Sequence, residues 1–353
     1  MWDSVSRALK QGVALSIRRF LSVAACAVLA LAGCTASTGS DDPKRTPTTG
    51  LERDLSITTI LKGEQDWVRA GRTIEATQVQ TDGDFELYLT ESGGKRPGLR
   101  APDAPGGEHA TATVRVDGPV AVRLQSRDEN VFPPGGVLEE FRLEGGSIER
   151  REISPAPASQ FVGESLVIHR GRAYVEAVRD GQRCISSHAV GTDEKSRIEH
   201  CGDGRIVSIS ASPQGVYAVF EREDDSRSLH TVTGAEPDTS DLSNDVMAAF
   251  STPEGPIVMN KTADIGAGVL EGLGTTVTNI DTLVTPLWCG SHLWFAVNTE
   301  EGERQLAALA QGTSHLITDP ATGATVQTSW YLTCADGVLS VEAGDHAVVI
   351  DSH

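Results

Sequence analysis

The chain has 353 residues, a formal net charge of −19 at pH 7, 39% hydrophobic residues and only 5% aromatic ones. A polyanion is repelled by nucleic acid and by anionic lipid headgroups, which argues against a nucleic-acid-binding role. The length is large for one simple core and suits a repeat architecture.

The first element is a leader. Arg7, Lys10, Arg18 and Arg19 form a basic segment, and in the 13 residues from Phe20 to Ala32 the only polar side chain is Ser22. A bilayer span needs roughly 20 apolar residues, so this run is too short to cross and has the length of a signal-peptide core. It ends in Leu31-Ala32-Gly33-Cys34. That segment resembles the bacterial lipobox, in which an aliphatic and two small residues precede the cysteine. The resemblance implies that residues 1–33 are a lipoprotein signal peptide and that Cys34 becomes the diacylated N-terminus. It also implies a chain held at the outer face of the cytoplasmic membrane, facing away from the cytoplasm. Two acyl chains, unlike one, give a stable anchor. Arg18-Arg19-Phe20-Leu21 resembles a twin-arginine signal that lacks the residue normally found before the Phe-Leu pair. The general secretory and twin-arginine routes both stay open.

Residues 34–50 come next, with the lipidated cysteine followed by Thr, Ser, Gly, Asp, Pro, Lys and Arg and one alanine. Such a segment has nothing to bury, so a disordered tether is expected, about 20–24 Å end to end as a flexible coil. Loss of the leader removes four basic residues and one acid and takes the net charge to −22.

Residues 51–353 are expected to form the folded domain. Helical periodicity is nearly absent there. Short apolar runs follow turns that contain glycine. One copy is Ser212-Pro213-Gln214-Gly215, a strand over Val216 to Phe220, a loop over Glu221 to Ser226 and a strand near Ser228 to Val232. A second places a turn at Gly290 to His292 before strands over Leu293 to Val297 and Gln305 to Leu309. A third places Ala335-Asp336-Gly337 before strands over Val338 to Val341 and His346 to Ile350, with a turn at Gly344. Marker glycines fall at Gly83, Gly136, Gly171, Gly215, Gly255, Gly290 and Gly337, with a mean spacing near 42 residues. A period of about 40–45 residues is that of a four-stranded propeller blade. Leu293-Trp294-Phe295-Ala296-Val297 is apolar on consecutive residues, as expected for a strand covered on both faces.

The fold class expected is therefore all-β, a seven-bladed β-propeller. The last copy ends at its third strand, and Leu55 to Leu61 is a strand without a partner. That N-terminal strand is expected to close the last blade and so remove an open edge. Ser212-Pro213-Gln214-Gly215 and Thr252-Pro253-Glu254-Gly255 resemble the hairpin turns of TolB-type propellers. The competing architecture is a pair of β-sandwiches with a boundary near Pro155-Ala156-Pro157. The segment from Glu301 to Gln311 also has alanine and leucine at helix-compatible spacing, so a short helix is the alternative there to the strand over Gln305 to Leu309.

Cys26 leaves with the leader and Cys34 carries lipid. Cys184, Cys201, Cys289 and Cys334 remain, an even number in an oxidising compartment. Three pairings are open, and we expect Cys184–Cys201 on the two outer strands of one blade and Cys289–Cys334 between two blades. A metal site is the rival reading, but no close Cys or His spacing points to one.

No nucleophile-elbow motif, phosphate-binding loop or EF-hand loop occurs. No catalytic residue, cofactor site or metal site is assigned, and no cofactor is expected. His188, His200 and His230 are expected to be hydrogen-bonded structural residues. Asp82-Gly83-Asp84 and Asp203-Gly204 read as hairpin turns, and Glu221 to Asp225 as a solvated loop. Trp288, Trp294, Trp330 and Tyr331 gather aromatic surface between the sixth and seventh blades. Its default role is core packing, and its sharper one is a patch that stacks peptide or carbohydrate. The expected function is a cell-surface binding or accessory module for a protein, peptide or glycan, more in keeping with the residues than an enzyme. The alternative is an extracytoplasmic hydrolase or lyase with its site in the propeller funnel.

Overall fold

The computed structural model describes residues 56–62, 66–81, 84–95, 98–102, 112–126, 135–234, 245–263, 266–299, 302–310, 312–318, 324–328, 331–343 and 346–352. The leader, Cys34 and the tether lie outside them, as do Gly83, Gly344 and Trp330. No helix occurs among the described residues, and every strand pairing is antiparallel.

Strand β1 (Ser56–Lys62) opens the described chain. The strands after it fall into consecutive groups. The first is β2 (Asp66–Ala70), β3 (Ile74–Thr81), β4 (Asp84–Glu91) and β5 (Leu99–Arg100). The second is β6 (Ala112–Asp117), β7 (Val120–Ser126), β8 (Gly136–Glu144) and β9 (Ser147–Ile153). The third is β10 (Gln160–His169), β11 (Arg172–Arg179), β12 (Gln182–Ala189) and β13 (Arg197–Gly202). The fourth has β14 (Arg205–Ser212), β15 (Gly215–Glu221) and β16 (Arg227–Gly234). The fifth is β17 (Val246–Thr252), β18 (Gly255–Lys261), β19 (Ala267–Gly272) and β20 (Thr275–Asp281). The sixth is β21 (Leu287–Cys289), β22 (His292–Asn298), β23 (Arg304–Ala310) and β24 (Thr313–Leu316). The last is β25 (Leu332–Ala335), β26 (Val338–Ala343) and β27 (His346–Asp351). Within a group, successive strands are hydrogen-bonded neighbours. Strand β1 lies beside β27, in register from Ser56 opposite Asp351 to Lys62 opposite His346 with one bulge.

The first strands of the groups pack on one another. β2 touches β6 and β25, β6 touches β10, β10 touches β14, β14 touches β17 and β21, and β21 touches β25. Burial is deepest on the second strand of the fourth group, where every residue of β15 is buried. Outer strands such as β9 and β13 alternate between exposed and half-buried positions.

The hydrophobic core is divided among the seams between groups. Alternation along a strand explains the consecutive apolar runs. On β22, Leu293 and Phe295 join Phe250, Ile257 and Leu270 of the fifth group, while Trp294 and Ala296 join Leu332, Leu339 and Ile350 of the last. On β15, Val216, Ala218 and Phe220 pack on Tyr174 and Ile185 of the third group, and Val219 packs on Val246 and Val258 of the fifth. Val68 and Ala70 of the first group cluster with Val338 and Ala347 of the last.

The same alternation decides between strand and helix over Glu301 to Gln311: the strand read over Gln305 to Leu309 is β23, and the helix alternative falls. Leu306 and Ala308 serve one seam, and Ala307 and Leu309 the other. Small and branched apolar residues on consecutive positions satisfy two-sided burial as well as they satisfy helix spacing. The sandwich alternative also falls. Pro155 to Pro157 lies between β9 and β10, and the groups on either side share one continuous sheet through the Phe161–Gly136 pairing.

The repeat markers need adjustment at one end. Gly171, Gly290 and Gly337 sit in the turn between the first and second strands of their groups, and Gly215 and Gly255 open the second strand. The equivalent turns of the first two groups hold Gly71 and Gly118, whereas Gly136 opens the third strand of its group. Gly290 shows why such a position excludes other residues. It has φ +59°, and a Cβ there would stand 1.8 Å from the Ser352 carbonyl oxygen.

One seam is fastened by hydroxyls. Ser208, Ser210 and Ser212 of β14 donate to the carbonyls of Met247, Ala249 and Ser251 of β17, each at 2.6 Å. The period-two spacing of the serines matches that of the carbonyls. Ser210→Ala is expected to lower stability by about 1–3 kcal/mol, because it leaves a buried carbonyl without its donor. Urea unfolding measures it, and an unchanged midpoint would discard the role.

Candidate functional site

The expected disulfides are present. Cys184 bonds Cys201 across the third and fourth strands of the third group, and Cys289 at the end of β21 bonds Cys334 on β25. These bonds take up all four thiols that the metal reading would have needed.

The aromatic residues do not form one surface. Trp294 is fully buried and donates its indole N–H to the Cys289 carbonyl at 3.2 Å. Trp288 is half-buried and donates to the Gly290 carbonyl at 2.9 Å. Only Tyr331, 46% exposed, presents a ring to solvent. Core packing therefore holds for Trp294, and the stacking patch contracts to Tyr331 among the described residues.

Glu221 also departs from expectation. It is buried at the end of β15 and held by Arg205 and by Arg227, whose Nε and Nη2 lie 2.9 and 2.8 Å from its Oε1. Burial pushes its carboxyl up, but hydrogen bonds from Arg227 and Arg205 outweigh that and hold it below the usual range. Glu223, Asp224 and Asp225 are exposed, as a solvated loop requires. Glu223 and Asp224 with Arg222 line a cleft of about 530 Å³ together with the hairpin turns at Gly181 and Asp203-Gly204.

The histidines separate into two environments. His188 is buried on β12, its Nε2 3.3 Å from Glu140 Oε1, but neither ring nitrogen meets hydrogen-bond geometry among the described residues, so it is not the hydrogen-bonded residue expected. Burial raises the Glu140 carboxyl, but His188, the Gly191 amide and Arg151 more than compensate, and it stays ionised to lower pH than usual. Glu140, Arg151 and Gly191 line a second cleft, of about 430 Å³, together with Arg142 and Asp193. Arg142 donates to the Gly191 carbonyl at 3.0 Å and Arg151 to Asp193 at 2.7 Å, so these groups are engaged with one another.

His200 and His230 stack at 4.6 Å between ring centroids, each edge-on to Phe220. His230 Nε2 meets Ser228 Oγ at 2.9 Å, but His200 Nε2 is buried with no hydrogen-bond partner. His200 is thus a packed ring and not the hydrogen-bonded residue expected. Burial lowers both pKa values, and for His230 the charges of His200 and Arg222 lower it further. The fold therefore favours the neutral form of both rings. A histidine depressed on folding stabilises fully above its ordinary value of about 6.5, and the unfolded chain takes up the proton first as pH falls. Stability is expected to hold from pH 8 to about 6.5 and to fall below that, with His200→Phe flattening the slope. Denaturant midpoints across that range check this, and a wild-type midpoint that rises on acidification would contradict it.

The least compensated charges lie where the first strands converge. Arg69 stands on β2 between Val68 and Ala70, and Arg115 on β6 between Val114 and Val116, all four core residues. Arg69 is only 5% exposed. Its guanidinium lies 5.8 Å from the centre of the Tyr331 ring, which precedes β25. Arg69 donates to the Val68 carbonyl at 3.2 Å, but its Nε is buried with no hydrogen-bond partner. Arg115 is half-buried and donates to the Val114 carbonyl at 2.9 Å. Among the described residues neither arginine forms an ion pair within 4 Å. Burial lowers Arg69 to about 10 against the opposing charge of Glu342 on β26. Burial, and then repulsion from Arg69, lowers Arg115 to about 9. Both remain cationic at neutral pH. The sequence held no sign of this cluster, since its members come from three groups and no motif joins them.

No family model matches the chain, and no curated protein does. Several solved structures are similar in fold. One from a study of two prolyl endopeptidases has a TM-score of 0.50 at 10% identity, covering 81% of this chain and 45% of that one. One from the mitotic checkpoint complex has a TM-score of 0.48 at 11% identity, covering 91% and 99%. The propeller of Dos1 has a TM-score of 0.43 at 9% identity, covering 79% and 74%. At these identities the likeness is one of fold alone, and the described chain is an all-β, propeller-like domain.

Proposed function

We propose that this chain is an exported, lipid-anchored, seven-bladed propeller that acts as a cell-surface binding or accessory module for a protein, peptide or glycan. The anchor reading rests on Leu31 to Cys34. Several features support seven blades in a ring: the seven strand groups, a core cluster in each seam, and the placing of β1 beside β27. Arg72 adds to this, since it reaches from the first group to the Asp336 carbonyl at 3.0 Å and the Asp351 carboxylate at 2.9 Å in the last.

The observation that carries the binding role is the arginine pair. Arg69 is held almost wholly buried, at a cost in stability, with its Nε lacking a hydrogen-bond partner among the described residues, and Arg115 stands on the adjoining first strand. Such a cost is tolerated where the groups serve a ligand. The described residues around them supply anion-binding groups and not an acid–base pair with a nucleophile, so binding is favoured over the hydrolase or lyase alternative.

Location is tested by fractionating cells that express the full chain or Cys34→Ser. The wild type should partition into detergent with a diacylated N-terminal peptide by mass spectrometry, and the variant should not. Recovery of the wild type in the medium with an unmodified Cys34 would sink the anchor.

A further inference from the structure

We infer that the cleft between the second and third groups binds the head group of a free α-amino acid, its carboxylate on Arg142 and its ammonium on Glu149. The site is built on the third and fourth strands of a group and not on the first, so it goes beyond the binding role proposed above.

Three observations carry it. The first is a pair of unmatched charges. Arg142 of β8 and Glu149 of β9 are directly opposed across the ladder, and both line the cleft of about 430 Å³. Opposed side chains share one face with Cβ atoms about 4.5–5.5 Å apart, and opposite charges so placed attract. These two form no ion pair with each other or with any other described residue. Among the described residues Arg142 makes one hydrogen bond, from Nη2 to the Gly191 carbonyl. Its Nε and Nη1 are left for a ligand, and a guanidinium matches the two oxygens of a carboxylate. An acid opposite a base, each unmatched, suits a ligand that carries both signs a few ångströms apart.

The second observation is a buried polar base. Glu140 lines the cleft yet is only 4% exposed. It is fixed from the third group by the Gly191 amide at 2.9 Å and from β9 by Arg151. His188, 3% exposed, adjoins it with Nε2 3.3 Å from Oε1 and neither ring nitrogen hydrogen-bonded. Buried polar groups are ordinarily satisfied, and unmet ones call for a partner that binds. The third observation is room. A cleft of this volume falls in the range of small-molecule sites. Gly191 lets the guanidinium lie against the backbone: it has φ +71°, and a Cβ there would stand 2.9 Å from Arg142 Nη2. Val120 is the one apolar side chain among the described lining residues, so the ligand is small and polar. A lone anion would meet Arg142 but face Glu149, and a lone cation the reverse.

The experiment uses the full chain in detergent micelles and calorimetric titration at low salt. The probes are L-serine, N-acetyl-L-serine, L-serinamide and γ-aminobutyrate, the last with the same two charges set further apart. Serine should bind, and each of the other three at least about tenfold more weakly, the scale of losing one charge-assisted contact. Arg142→Met and Glu149→Gln should each weaken serine by about tenfold or more. Each should also erase one discrimination. Serine and serinamide should bind Arg142→Met alike, and serine and N-acetylserine should bind Glu149→Gln alike. A role in folding alone would not produce those matched losses. Melting of both variants without ligand separates lost binding from lost folding. If Arg142→Met does not fold, Glu149→Gln, at an exposed position, still decides. Failure of serine to bind the wild type, equal binding of serine and either blocked analogue, or tighter binding of γ-aminobutyrate would overturn the assignment. None of these outcomes bears on the anchor, which is tested through Cys34, or on the arginines of the first strands.

Discussion

Glu139→Ala is expected to lower stability by about 3–5 kcal/mol, the largest effect of any single substitution considered for this chain. Glu139 on β8 is fully buried between the arginines of its two neighbouring strands. Arg123 on β7 gives its Oε2 two hydrogen bonds, from Nε at 2.9 Å and Nη2 at 2.7 Å. Arg150 on β9 gives Oε1 one from Nε at 2.7 Å. Arg123 is itself only 4% exposed and lies 4.7 Å from the centre of the Phe141 ring. Removing the carboxylate strands that guanidinium where water cannot reach it. Replacing the group with an apolar side chain does not restore the loss, because the penalty belongs to the partner left behind. Glu139→Gln keeps the shape and loses the charge, so it should fall between wild type and alanine. Arg150→Met should cost less than either, since Arg150 is partly solvated and Arg123 keeps its partner. Guanidinium midpoints at constant slope measure all three. Equal stability of Glu139→Ala and wild type would show that the pair contributes nothing net.

Replacing Cys289 and Cys334 together by serine is expected to cost about 4 kcal/mol, and the same change at Cys184 and Cys201 about 3 kcal/mol. The order follows from the chain each bond closes, with sequence separations of 45 and 17 residues. Location should widen the difference. Cys289 sits in the core cluster between the sixth and last groups, so its serine variant also buries a hydroxyl. The Cys184–Cys201 bond joins two strands that are already hydrogen-bonded neighbours, Cys184 opposite Cys201. Thermal unfolding of the two double variants checks the ranking. A larger loss at Cys184 and Cys201 would mean that loop length is not what governs these bonds.

Much of the fold was legible because it is written in local patterns. Solid apolar runs such as Leu293 to Val297 announced strands covered on both faces, and glycine turns separated them. Cysteines nearest in sequence pair in the fold. Local pattern is ambiguous where it serves two structures. Gln305-Leu306-Ala307-Ala308-Leu309-Ala310 fits a helix by spacing, and only the presence of a sheet on each side makes it a strand. Gly136 was taken for a repeat marker because glycine opens many kinds of turn. The equivalent positions, Gly71 and Gly118, emerge only once strands can be counted outward from the first of each group. Glu221 looked solvated beside Glu223, Asp224 and Asp225, yet Arg205 and Arg227 reach it from both neighbouring strands. Those partners flank it across two hairpins, and nothing in a linear charge run shows them.

The sequence by itself determined what depends on near neighbours along the chain: strand-forming runs, hairpin turns, an even set of pairable cysteines and a strongly acidic net charge. The tertiary structure alone decided which charges meet. Arg69, Arg115 and Tyr331 come from the first, second and last strand groups, and they converge because the first strands of those groups pack side by side. Burial and mutual repulsion are properties of that convergence and have no signature in composition or spacing. The site is therefore invisible until the seams between sheets are known.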